Sequence, residues 1–173
     1  LLFAAAGAKF EDCRVDCSGF APGCTGNQTE VKWPDFKAHT PYGQLPVLVV
    51  DGATIAQSSA IQAYVAQRYG LAGLSPIESA LIAATNEQVR DVNDAFNKHR
   101  ALPADQQAAA KAKFVAELGT NGAVAALEAQ LKANHGGAGW IVGTNLSSAD
   151  IYIYRSFGMT LRGVDAAAFK TAC

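Results

Sequence analysis

Residues 33–62 read WPDFKAHTPYGQLPVLVVDGATIAQSSAIQ, and the order of residue types along them decides the fold. Val47-Leu48-Val49-Val50 is an apolar, mostly β-branched run without alternation, the pattern of a strand covered on both faces. Asp51-Gly52 is the pair that a two-residue type I′ hairpin requires, because both central positions need φ > 0. Ala53-Thr54-Ile55-Ala56 therefore returns antiparallel as the partner strand. Gln57-Ser58-Ser59 then brings hydroxyls to free backbone N–H groups, and apolar residues at helical spacing from Ala60 to Arg68 predict a helix just past the hairpin. The mouth of such a helix carries unpaired donors and partial positive charge, which suits a ligand carboxylate. Ahead of the first strand, Pro41-Tyr42-Gly43-Gln44-Leu45-Pro46 ends on a proline where a strand tolerates the missing N–H. A cis Leu45–Pro46 bond there turns the Leu45 N–H and C=O outward, free to pair with an extended peptide as a further strand would.

In the order and spacing of these motifs the segment resembles the glutathione-binding half of a glutathione transferase, in wording closest to the sigma class. Leu45-Pro46 is similar to the family's cis-proline loop and Gln57-Ser58 to its γ-glutamyl-binding pair. Trp33 and Lys37 are similar to the tryptophan and lysine that hold the glycyl carboxylate. The resemblance runs from Leu1 to about Leu161. It implies a thioredoxin-like α/β N-terminal domain followed by an all-α C-terminal domain, the glutathione transferase fold. It also implies glutathione as co-substrate, a small electrophile as second substrate, and a homodimer. Counted without gaps from Leu71-Ala72-Gly73, Asp91 matches the family aspartate that reaches across a two-fold interface to the partner's glutathione amine. Asp94 takes that place if the register slips.

Each of these residues also fits a plainer role. Gln57-Ser58 suits a simple helix cap, and the Leu45-Pro46 loop before it tips the choice toward a ligand clamp. Trp33 suits a surface aromatic opening a helix, with Pro34 at the tolerated first position. Its spacing of four from Lys37 instead lets an indole N–H and an ammonium converge on one carboxylate. Gln44 suits a solvated loop residue and a contact to the peptide backbone equally. Acidic residues such as Asp91 usually face solvent on a helix, and Thr85-Asn86-Glu87 marks that face as polar. Tyr42 occupies the place of a packing aromatic in PYGQLP. His39, His99 and His135 read as ordinary polar residues.

Composition narrows the remainder. The chain has 173 residues, half of them apolar, and a formal charge of −1, enough to bury a core and without the Lys/Arg block of a nucleic-acid surface. No apolar run approaches the ~20 residues of a membrane span. Cys13, Cys17, Cys24 and Cys173 are too few and too unevenly placed for a disulfide scaffold, so a reducing, cytoplasmic setting is expected. The Gly/Pro/Cys-rich stretch from Asp16 to Lys32 departs from the family pattern. Unpaired thiols are favoured there over a Cys17–Cys24 disulfide, and a metal site lacks a clear fourth ligand.

Leu1-Leu2-Phe3-Ala4-Ala5-Ala6-Gly7 reads as the later half of an amphipathic helix closed by glycine. Lys9 to Val15 reads as a strand entering the sheet. A first strand is therefore expected upstream, with about twenty residues in all. In the transferases this chain resembles, that strand carries the catalytic tyrosine, so no catalytic residue is assigned here. Glycine and proline concentrate in Gly70 to Pro76, which places a domain of residues 1–70, a linker at 71–76 and a helical domain at 77–173. Ile77, Ala80, Leu81, Ala84, Val89, Val92 and Phe96 form one stripe of a long helix ending before Pro103. Helical spacing resumes from Phe114 to Leu131, with a break at Gly119 to Gly122, and stops at Asn134-His135-Gly136-Gly137. Ser147-Ser148-Ala149-Asp150 forms a variant capping box, similar to the family's buried cap of a core helix, and the resemblance implies more helices after Phe169-Lys170. Two functions follow: a transferase conjugating or isomerising electrophiles with the glutathione thiolate, or a catalytically silent subunit of that fold docked in a larger assembly.

Overall fold

The computed structural model describes residues 1–16, 32–118 and 122–160. Cys17, Cys24, Cys173, most of the Gly/Pro/Cys-rich stretch, the break at 119–121 and the segment beyond Thr160 lie outside the described residues. The chain divides into two compact units, one of Phe3–Val65 and one of Ala66 onward with Leu1–Leu2.

In the first unit, helix α1 (Leu2–Ala5) is short and closes as its sequence predicts. Gly7 adopts φ 62°, its N–H donates to the Ala4 carbonyl at 3.1 Å, and the Ala8 N–H reaches the Phe3 carbonyl at 2.9 Å. That pair of bonds is a Schellman closure, which needs a residue at ease with positive φ. The strand expected over Lys9–Val15 does not form; the segment is irregular up to an isolated parallel bridge between Asp16 and Lys32. A strand exists only through its neighbours, and among the described residues no strand runs beside this one. Its charges pair locally instead, with Arg14 on Asp12 at 2.7 Å.

Helix α2 (Trp33–Lys37) is a single turn with Pro34 in its opening positions. Strands β1 (Val47–Val50) and β2 (Ala53–Ala56) pair antiparallel from Val47↔Ala56 to Val50↔Ala53. Asp51 and Gly52 take φ 48° and 77°, the left-handed pair that a type I′ turn demands. The expectation that β1 is covered on both faces is not met: Val49 is 68% exposed. Among the described residues the sheet has these two strands alone, so the face carrying Val49 lies open.

Helix α3 (Ser58–Arg68) ends in a second Schellman closure, with Gly70 at φ 71° and the Leu71 N–H on the Ala66 carbonyl at 2.7 Å. The second unit is then helical: α4 (Pro76–Asn97), a 3-10 turn at Lys98–Ala101, α5 (Ala104–Ala116), α6 (Gly122–Ala133) and α7 (Ser148–Thr160). Ser75 caps α4, its Oγ accepting the Glu78 N–H at 3.1 Å while the Glu78 carboxylate accepts the Leu74 N–H at 2.6 Å. Gly73 stands beside this cap at φ 85°, and a Cβ on it would lie 2.7 Å from the Glu78 Cβ and 3.2 Å from the Glu78 carbonyl carbon. The obstruction is the helix start itself and cannot swing away. Gly73→Ala is therefore expected to lower unfolding free energy by about 3 kcal/mol, from left-handed strain plus overpacking, read as a lower urea midpoint at unchanged slope.

The α4 stripe is only half as expected. Val89 and Val92 are buried, but Ile77 is 74% exposed and Leu81, Ala80 and Ala84 also face outward. The buried face instead runs through Ile82, Thr85, Asn86, Val89 and Val92. Thr85 and Asn86, read as markers of a polar outer face, are inside and each finds a partner there, although Asn86 Oδ1 accepts from none of the described residues. Gln130 Nε2 donates to Thr85 Oγ1 at 2.8 Å and Asn86 Nδ2 to Ser148 Oγ at 3.4 Å, while Asn93 Nδ2 reaches Ser156 Oγ at 2.8 Å. Paired polar groups lose little on burial, so hydropathy alone misplaces the face. The apolar centre is Ile82 with Ile141, Val142 and Ala149, flanked by Leu131 and Ile153.

The expected cap of α7 is present. Asp150 Oδ2 accepts the Ser147 N–H at 2.9 Å and its hydroxyl at 2.7 Å, and Oδ1 accepts the Ile141 N–H at 2.8 Å. Asn134 braces the loop before it, donating to the carbonyls of Trp140 and Gly143 at 2.7 and 2.8 Å.

Candidate functional site

The first unit gathers seven of the eight sequence-derived site residues on α2, the following loop and the mouth of α3. Pro34 starts the single turn that places Trp33 and Lys37 one above the other. Trp33 is half-buried and Lys37 exposed. Buried Thr40 closes this turn, its hydroxyl donating to the Lys37 carbonyl at 2.8 Å. Gly43, at φ 61°, lies directly under the Lys37 stem: a Cβ there would stand 3.1 Å from Lys37 Cε. The loop thereby supports the aliphatic part of Lys37 and leaves its ammonium outward.

Beyond Gly43, the Leu45–Pro46 peptide is cis, as the motif predicts, and β1 begins one residue on. Tyr42, expected to pack, is 67% exposed instead, because the turn at Gly43 carries it outward. The hairpin returns the chain to Gln57, which takes φ 72°. Its carbonyl accepts the Ile61 N–H at 3.0 Å, so it caps α3 through its backbone. The first N–H groups of α3 have no carbonyl a turn behind them and remain donors at an open mouth, beside the exposed hydroxyl of Ser58. The Gln57 side chain bonds sideways: Nε2 donates to Gln44 Oε1 at 3.2 Å. This bond ties the loop before Pro46 to the helix mouth.

Asp91 is the remaining one of the eight. It lies exposed on α4 in the second unit, as does Asp94. Of the cysteines, Cys13 is exposed and unpaired. Its thiol donates to Glu11 at 3.4 Å, and that bond with the Glu11 charge holds its pKa above the ordinary value, the reverse of an activated nucleophile. Sequence reading overlooked Gly43 and Thr40. The signal for Gly43 was its place after Tyr42 in a tight loop, where only glycine combines positive φ with room for a neighbouring stem.

Exposed Lys37, half-buried Trp33, the bent Leu45–Pro46 loop and the start of α3 thus follow one another around a thioredoxin-like hairpin. Comparison with known proteins agrees. Residues 1–67 match the model of the glutathione S-transferase N-terminal domain and residues 90–171 that of the C-terminal domain. The chain is 30% identical over 154 residues to glutathione S-transferase 3 of Caenorhabditis elegans, covering 88% of this chain and 68% of that one. It is 34% identical over 151 residues to hematopoietic prostaglandin D synthase of Gallus gallus, covering 87% and 66%. Among solved structures, the glutathione S-transferase from Ascaris lumbricoides superposes with a TM-score of 0.65 at 27% identity, covering 99% of this chain and 80% of that one. The chain belongs to the glutathione S-transferase family. It spans 38%, 66% and 47% of the length of three curated relatives that it matches.

Proposed function

We propose that the protein is a glutathione transferase of sigma type, a cytoplasmic homodimer that joins the glutathione thiolate to small electrophiles or uses it to isomerise them. The Trp33 indole N–H and the Lys37 ammonium take the glycyl carboxylate, one as a neutral donor and one as a point charge. The Leu45 N–H and C=O pair with the cysteinyl main chain as a neighbouring strand would. Ser58 and the free N–H groups of α3 take the γ-glutamyl carboxylate, with Gln44 and Gln57 beside it and Asp91 of a second copy on the amine. The observation that carries this reading is the Gln44–Gln57 bond at the start of α3, which ties the loop before Pro46 to the helix.

A bound thiol becomes a good nucleophile when a donor stabilises its anion and lowers its pKa. In conjugation the sulfur then bonds to the electrophilic carbon, the leaving group departs with its electron pair, and the thiol proton passes to solvent. The donor to the sulfur is assigned to no residue of this chain.

Binding tests the reading directly. In a Trp140→Phe background, glutathione should change Trp33 fluorescence and give a saturable heat in calorimetry. Absence of both signals at millimolar peptide overturns it. Gly43→Ala is expected to weaken glutathione up to about fivefold, the weight of an exposed ion pair, because the new methyl displaces the Lys37 stem; the left-handed alanine itself costs about 1 kcal/mol of folding stability. The affinity for a glutathione analogue amidated at the glycyl carboxylate should hardly move.

A further inference from the structure

We infer that the helical unit binds an internal water molecule where Asn86 of α4, Ser148 of α7 and the Leu71 carbonyl come together. The site lies in the interior of the second unit and stands whatever peptide the first unit takes.

Asn86 is 9% exposed and Ser148 2% exposed. The bond between them, from Asn86 Nδ2 to Ser148 Oγ at 3.4 Å, leaves each side chain with a polar function unused. Asn86 Oδ1 is shut off from solvent and accepts from none of the described residues. Ser148 Oγ receives the amide through a lone pair, so its own O–H proton still needs an acceptor, and no bond from it to a described residue exists. A buried acceptor short of a donor thus neighbours a buried donor short of an acceptor, and such gaps are rare because they are costly. Turning the amide over does not close them. The Ser148 hydroxyl then serves Oδ1, but Nδ2, which must donate, loses its acceptor. One end of the amide goes unserved in either orientation.

Ser148 also brings a third group to the same place. Its N–H donates to the Leu71 carbonyl at 2.9 Å, and Leu71 is buried. A carbonyl oxygen holds a second lone pair. The groups gathered around this serine are therefore an amide, a hydroxyl and a half-used carbonyl. A water satisfies all three, accepting from the Ser148 O–H and donating its two protons to Asn86 Oδ1 and the Leu71 oxygen. About three bonds is the usual complement of a buried water. With the amide turned, the water accepts from Nδ2 instead and still donates to Leu71. None of the three groups is charged, which disfavours an ion. Val89, one turn on from Asn86, and Ala149, next to Ser148, are fully buried, which leaves a larger guest no way in.

Two measurements test this. A crystal structure of the protein that shows ordered waters should carry a density peak about 2.7–3.2 Å from Ser148 Oγ and from the end of the Asn86 amide that Ser148 does not serve. Absence of that peak, with other ordered waters visible, overturns the proposal. Magnetic relaxation dispersion of water oxygen counts waters that stay bound longer than the protein tumbles. Asn86→Leu removes both amide functions at similar volume and should lose a long-lived water relative to wild type. Equal counts in the two proteins overturn the proposal. The wild-type crystal decides the matter even where the leucine variant fails to fold.

Discussion

Replacing Asp150 by alanine is expected to lower the unfolding free energy by about 3–4 kcal/mol. The carboxylate accepts from the Ser147 N–H, the Ser147 hydroxyl and the Ile141 N–H, at 2.9, 2.7 and 2.8 Å. Ile141, Ser147 and Ser148 are all buried, so alanine strands two backbone donors away from water. Each stranded buried donor costs about 1–3 kcal/mol, and the lost N-terminal cap adds about 1 kcal/mol. Asp150→Asn keeps the size and part of the acceptor capacity, and should lose about half as much. Ser147→Ala removes a single hydroxyl and should cost about 1 kcal/mol. The order Ala, Asn, then the Ser147 variant, read from urea midpoints at constant slope, checks the argument. A shift below about 1 kcal/mol for Asp150→Ala means that water takes over the three bonds.

Ser58→Ala should weaken glutathione by about tenfold or more while leaving the fold nearly untouched. A hydroxyl donating to a carboxylate contributes about 1.5–3 kcal/mol, and Ser58 is exposed at the first position of α3, where its hydroxyl is free to serve a ligand. Calorimetry with glutathione should therefore show the loss while the urea midpoint moves little. Equal affinity of wild type and variant would remove Ser58 from the site.

Local chemistry made the hairpin, the bent loop and the α7 cap readable. Asp51-Gly52, Leu45-Pro46 and Ser147-Ser148-Ala149-Asp150 each place residue types whose backbone or side-chain demands admit few conformations. What stayed hidden depended on neighbours distant in sequence. Lys9–Val15 reads as a strand, yet a strand needs a flanking partner. Val47–Val50 reads as covered, yet cover is supplied by other elements and Val49 stands open. On α4, apolar residues occur on two sides of the helix. The side that faces inward is settled by Gln130, Ser148 and Ser156, which meet Thr85, Asn86 and Asn93. At the candidate site the individual residues could be named from the motif. The Gly43 support under Lys37 and the Gln44–Gln57 bond could not, since each joins residues that only the folded chain brings close.

The Asn86–Ser148 and Asn93–Ser156 bonds repeat about two turns apart on both α4 and α7, with residue numbers rising together, so the two helices run parallel and share one index. Slippage of either by a single residue breaks both rungs simultaneously. Changing one member of either pair alone therefore leaves its partner's polar group without that bond. A designer transplanting loops onto this helical half should treat the ladder as its ruler and leave it intact.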